Sequence, residues 1–230
     1  MSAPLSALAR HLLFGHFTAK GIEKGLSASL AEAPLSLERD EISAAMQSIS
    51  WKAGEIMVSD QMRSIDPPSR GHLEWSAWIL AAYRVLRPQF ASEKEAIVYL
   101  EEASLRSFDT KLLRLGVALA LRPIRGDLQK AKTILGAMIT QNGASFESEF
   151  DATEGRIDFQ VKQCFYFDFF NSHDVPELTT VLCRLDQLWF DRIDPAKHGI
   201  SFDHDRYNTM NHGATECCFR IVKASVSKAT

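Results

Sequence analysis

Four thiols fall in the last third of this 230-residue chain: Cys164, Cys183, Cys217 and Cys218. A cysteine does chemistry as a thiolate, which attacks electrophilic carbon or binds a soft metal; otherwise it packs as a small hydrophobe. Cys183 and Asp186 stand three apart in a stretch of helical period, so they share one helix face beside the stripe of Leu178, Val181 and Leu185. A carboxylate on so apolar a helix needs a partner or solvent. Cys217 and Cys218 are adjacent in a strand-like segment and must point to opposite sides, Cys217 with Thr215, Phe219 and Ile221, and Cys218 with Glu216 and Arg220. Cys164 alternates with aromatic positions and falls in phase with Tyr166. A pocket lined by Cys164, Cys183, Asp186 and one of the final pair is allowed by these phases. Its chemistry would be nucleophilic attack by sulfur, with the carboxylate orienting a proton carrier or holding a cationic nitrogen.

Metal binding is the competing use of the same sulfurs. Thiolates favour zinc, and a site from Cys164, Cys183 and Cys217 is admissible on ligand type, but the spacings match no common zinc module. There is no CxxC and no HExxH, and Asp203, His204 and Asp205 on a strand divide between two faces. The expectation is no cofactor, with zinc as the candidate if a metal is held. The absence of GxGxxG, of a P-loop and of GxSxG argues against nucleotide-dependent chemistry and against a serine esterase.

The elements that must position these groups change character along the chain. Residues 4 to about 140 read as helices: a stripe of Leu5, Leu8, Leu12 and Leu13, a second with Ile42, Met46, Ile49, Trp51 and Ile56, a break at Pro67-Pro68, and a third with Leu73, Trp75, Ile79, Leu80 and Tyr83. Ser92 with Glu95 marks another helix start. Residues 112–121 are apolar enough to be buried on most sides, and a last helix over 128–140 is closed by Asn142-Gly143 as a left-handed cap. Alternation from Ile157 to Phe169 predicts one long two-faced strand, followed by a helix from Pro176 to about Asp191. Strands over about 201–210 and 215–223, joined at Asn211-His212-Gly213, make a hairpin. The expected fold class is α+β, with a helical region (1–145) packed on a small antiparallel sheet in the region carrying the cysteines (146–230), the two forming one compact unit.

Composition bounds the partners. Lys+Arg number 26 against 29 Asp+Glu, and this weakly acidic balance argues against a nucleic-acid binder. No apolar run is long enough for a membrane span, and the run after Arg10 is too short for a signal peptide, so the expected location is cytoplasmic. A small-molecule substrate is expected, and a homo-oligomer is compatible with the tryptophans at helix positions.

The stretch Cys164-Phe165-Tyr166, then Val175-Pro176-Glu177-Leu178, then Cys183-Arg184-Leu185-Asp186, then Phe202 and Thr209, and finally Gly213 through Cys217-Cys218-Phe219 resembles the L-2-amino-thiazoline-4-carboxylic acid hydrolase family. That pattern runs C-x-Y, a Pro-Glu-Leu helix start, C-x-x-D and G-x-x-x-C-x-F; the resemblance covers about residues 155–222 and departs at Cys218, where an acidic or polar residue is expected. It implies ring-opening C–N hydrolysis of a small heterocycle, in the named case a cyclic isothiourea bearing a carboxylate.

The residues then take roles. Cys183 with Asp186 is the first choice for the catalytic pair, followed by Cys164 and Cys217. Tyr166 and Thr209 supply hydrogen bonds, and His204 with Arg206 completes the substrate-binding set, Arg206 or Arg184 meeting the carboxylate. Two other readings use the same elements: a small-molecule sensor module of the 4-vinyl-reductase type, its phenylalanines lining an apolar cavity, and a tailoring enzyme of a specialised pathway acting on another heterocycle.

Overall fold

The computed structural model describes residues 19–204 and 209–224, so the Leu5–Leu13 stripe lies outside the described residues. Among the described residues six α-helices precede the first strand: α1 (Ala19–Leu30), α2 (Arg39–Ser59), α3 (Pro67–Leu86), α4 (Glu93–Phe108), α5 (Lys111–Leu121) and α6 (Leu128–Ile139). Then come β1 (Glu147–Ala152), β2 (Arg156–Gln163), α7 (Phe165–Ser172), α8 (Thr179–Phe190), the short α9 (Pro195–His198), β3 (Ile200–His204) and β4 (Cys217–Lys223). The strands form one antiparallel sheet in the order β1-β2-β4-β3, and the fold is α+β.

The helix starts follow from side chains that satisfy orphan N–H groups. Asp66 accepts the Ser69 N–H at 2.7 Å, and Pro67 and Pro68 fill the first turn, where no donor is needed. The proline pair therefore opens α3 as well as separating it from α2. Ser92 accepts the Glu95 N–H at 3.2 Å, and Thr110 accepts the Leu113 N–H at 3.1 Å. Ser69, His72, Leu73, Ser76, Ala77 and Leu80 make the buried stripe of α3 at helical spacing, which makes this helix the axis of the first core. That core joins α1–α4 to α7 and α8. A second core sets Leu113, Val117, Leu128 and Ala131 of α5 and α6 against Ile157, Ile200 and Ile221 of the sheet. No helix among the described residues is long and apolar enough to cross a membrane.

Several sequence expectations are corrected. The long strand ends at Gln163, and 165–172 is helix. Phe165, Tyr166, Phe169 and Phe170 are all buried, and their i, i+1, i+4, i+5 pattern is a helix face that alternate aromatics conceal in the sequence. Strand β1, unanticipated, pairs with β2. The expected hairpin strands are not reproduced in full: β3 is described as far as His204, Thr209 and Met210 are not strand, β4 starts at Cys217, and a 3-10 turn covers Met210–His212. Helix α5 is not buried on most sides, since Leu115 and Leu119 lie outside the packed stripe and are exposed; so does Trp51 on α2, opposite Ile49, Ala53 and Ile56.

Gly143 is not a helix cap either. Helix α6 ends at Ile139, and Gly143 (φ 72, ψ −166) lies in the 3-10 turn Thr140–Ser145 that follows. Its bend brings the Ala144 N–H to Asp66 Oδ2 at 2.7 Å, tying this turn to the start of α3. A Cβ at Gly143 would sit 2.5 Å from Asp66 Oδ2 and 2.8 Å from Pro68 Cβ, at a backbone conformation that only glycine adopts without strain. Gly143→Ala is expected to cost about 1–3 kcal/mol of stability, read as a lower urea midpoint at unchanged slope. A midpoint equal to the parent's would show that this turn yields freely.

Candidate active site

A cavity of about 140 Å³ lies between one sheet face and the helices that cross it. The sheet side is aromatic: Phe150 of β1, Phe159 and Val161 of β2, Phe219 and Ile221 of β4, and Phe202 of β3. Cross-strand register makes it so. Phe150 is paired with Phe159, and Phe159 with Phe219, with ring centroids 4.8 Å and 5.3 Å apart. Phe202 stacks at 3.8 Å on Phe190 of α8 and closes the row. Leu135 and Ile139 of α6, then Asn142 and Phe146 beyond it, line the helical side.

Three cysteines open on this cavity from three different elements. Cys217 comes from β4, on the same strand side as Phe219 and Ile221; Cys183 comes from α8; and Cys164 is the residue at the N-terminus of α7. All are thiols, with no disulfide among the described residues. Cys164 is buried, at 9% exposure, with extended backbone (φ −127, ψ 115). It shares the cavity with Phe159 and Val161 because the strand ends immediately before it and the helix begins immediately after it; in an unbroken strand it would have faced the other way. A thiol at a helix N-terminus sits in the positive end of the peptide dipoles, where the thiolate is favoured. The Met210 N–H donates to Cys217 Sγ at 3.4 Å. Cys218, on the opposite strand side, places its Sγ 3.6 Å from Glu216 Oε1.

The other anticipated residues are placed as follows. Tyr166, two residues into α7, lines the cavity. Asp186 belongs to α8, three residues beyond Cys183, and its side chain lies outside the described ones. The same holds for the His204 side chain at the end of β3, and Arg206 lies outside the described residues altogether. Thr209 is buried but does not line the cavity. Its hydroxyl meets His212 Nδ1 at 2.8 Å and its carbonyl accepts the N–H groups of His212 and Ala214, so it shapes the turn that carries Met210 to Cys217. Arg184 bonds Gln187 on its own helix. Among the described residues no three His, Cys, Asp or Glu side chains converge closely enough to hold a metal ion.

One residue of the site was not anticipated. His72 of α3, 8% exposed, stands behind Tyr166 with Nδ1 2.7 Å from the Tyr166 hydroxyl and Nε2 3.1 Å from the Asn142 carbonyl oxygen. Rings of Phe146, Phe165, Trp75 and Tyr166 surround it at centroid distances of 5.0–5.9 Å. Burial pushes its pKa down to about 4, against weaker support for the cation from Asn142 and Asp66, so the ring is neutral at pH 7.

The model of the L-2-amino-thiazoline-4-carboxylic acid hydrolase family matches residues 75–221. The chain belongs to this family. The family match starts in α3 and takes in every cavity-lining element, so it reaches well beyond the C-terminal third in which the motifs stand. No curated protein and no solved structure matches the chain. Membership in this family supports a hydrolase-like function at the level of the family and does not fix the substrate of this member.

Proposed function

We propose that this protein hydrolyses a small cyclic amidine, of which L-2-amino-thiazoline-4-carboxylate is the type, by attack of the Cys164 thiolate within the cavity. The observation that carries the reading is the meeting of three thiols and a tyrosine on one cavity. About 140 Å³ suits a single small ring, since a cavity of about 150 Å³ takes up benzene. The phenylalanine row suits a planar, delocalised cation such as a protonated amidine, whose charge the ring faces attract.

The chemistry balances without a redox partner. The Cys164 sulfur adds to C2 of the protonated amidine, forming a carbon–sulfur bond. The ring C2–N3 bond breaks, its electron pair staying on nitrogen, which takes a proton and becomes the α-amine. Water then adds to the same carbon, the bond to Cys164 breaks, and the thiolate is regenerated. The net change is addition of one water to give a thiocarbamate with a free amine. Asp186 keeps the role of orienting a proton carrier or holding the cationic nitrogen, and Cys183 and Cys217 are the other sulfurs on the cavity.

Incubation of the purified protein with L-2-amino-thiazoline-4-carboxylate is expected to release a primary amine without a titratable thiol. Release of a thiol instead would mean cleavage of C2–S, and release of ammonia alone would mean loss of the exocyclic nitrogen; either would overturn the C–N assignment. Because the wall is mostly apolar, a sensor-type binding module for an uncharged aromatic ligand is the second reading. It predicts saturable binding with no product of any kind.

A further inference from the structure

The chain of hydrogen bonds behind Tyr166 has a direction that the atoms themselves fix. The Asn142 carbonyl oxygen can only accept, so His72 Nε2, 3.1 Å away, carries the imidazole proton. Nδ1 is then the bare nitrogen, and at 2.7 Å it accepts the hydroxyl proton of Tyr166. A phenol has one proton, and here it is committed. Whatever else approaches that oxygen has to donate to it.

The arrangement is built to hold. His72 is locked between aromatic rings, with those of Phe146 and Tyr166 edge-on at 5.0 Å and 5.2 Å. Asn142 lines the cavity and lies in the turn whose Ala144 N–H is anchored on Asp66, at the start of the helix that carries His72. The ring therefore cannot reverse its donor and acceptor nitrogens without facing the Asn142 carbonyl with a second acceptor.

We propose that His72 is a positioning residue that fixes the Tyr166 hydroxyl as a hydrogen-bond acceptor, so that the cavity selects ligands presenting an N–H donor over ligands presenting a carbonyl in the same place. The inference rests on the cavity being the substrate site. It goes beyond the hydrolytic reading by specifying which face of the heterocycle is recognised.

A matched pair of probes tests it: L-2-amino-thiazoline-4-carboxylate, which presents N–H groups at C2, and L-2-oxothiazolidine-4-carboxylate, which presents a carbonyl there. Calorimetric affinities are measured for the parent, His72→Phe, Tyr166→Phe and the double variant, each carrying Cys164→Ala wherever the amino probe is turned over. The parent is expected to prefer the amino probe by roughly tenfold to a hundredfold, the scale of one buried hydrogen bond. Each single variant should erase that preference, and the double variant should lose nothing further, because one residue acts through the other. His72→Asn, whose amide oxygen stands near the former Nδ1, should restore part of it and serves as the folded control.

Additive losses, or a preference surviving in His72→Phe but not in Tyr166→Phe, would overturn the proposal. Equal parental affinity for the two probes would do the same. A parent that prefers the amino probe without turning it over would sink the hydrolase reading and leave this one standing. A parent that binds neither probe would remove the cavity as the site, and this inference with it.

Discussion

Cys164→Ala is expected to lower turnover of L-2-amino-thiazoline-4-carboxylate by at least about a thousandfold, as loss of a covalent nucleophile does elsewhere. The expectation rests on position. Of the three cavity thiols only Cys164 stands at a helix N-terminus, with the first-turn N–H groups of α7 directed towards its end of the helix. Cys164 also packs in the first core, so a circular-dichroism melt of Cys164→Ala, with Cys164→Ser beside it, must show a folded protein before the rates are compared. A folded Cys164→Ala within tenfold of the parent would move the attack to Cys183 or Cys217, the other sulfurs on the same cavity.

What the sequence disclosed and what it hid follow from the range of the interactions. Caps are local, so Ser92 with Glu95 marked a helix start correctly. Side-chain alternation in a strand is also local, and the placing of Cys217 with Phe219 and Ile221, away from Cys218, needed only the period of two. The stretch Phe165-Tyr166-Phe167-Asp168-Phe169-Phe170 failed because it fits both periods. Tertiary packing against α3 and α8 decides for helix, and no residue within the stretch announces that. The change of element at Cys164 reorients the sulfur into the cavity, by a route that the phase argument did not contain. His72 was hidden for another reason: its partner Tyr166 lies 94 residues away, and neither forms a motif with the other. A signal did exist. His72 falls in register with Ser69, Leu73, Ser76, Ala77 and Leu80, and a histidine on the buried stripe of a helix must find two partners or lose its hydrogen bonds.

His72 also makes an acid-stability prediction. The unfolded chain holds this imidazole near its ordinary 6.5, while burial pushes it down to about 4 in the fold. Above pH 6.5 the ring is neutral in both states and folding is indifferent to pH through it. Between 6.5 and 4 the unfolded state takes up a proton that the folded state refuses, so stability falls as the pH falls; below 4 both states are protonated and the loss levels off. At about 1.4 kcal/mol per unit, the whole window is worth about 3 kcal/mol. Urea unfolding at pH 7, 5.5 and 4 should show the parent losing stability across this range, and His72→Phe losing less by about that amount. His173, whose pKa burial also lowers, acts in the same direction and keeps a residual slope in the variant. Asp60 and Asp66 are both held below the ordinary 3.8, Asp60 because its burial, which raises the pKa, is outweighed by the Ser59 and Arg63 hydrogen bonds together with the charges of His173 and Arg63, and Asp66 by the Ala144 and Ser69 N–H groups; both lose their contribution mainly below the window and do not mask the difference. Equal slopes in parent and variant would mean that His72 takes up its proton in the fold as readily as in the open chain. The tautomer that orients Tyr166 would then fail on mild acidification along with it.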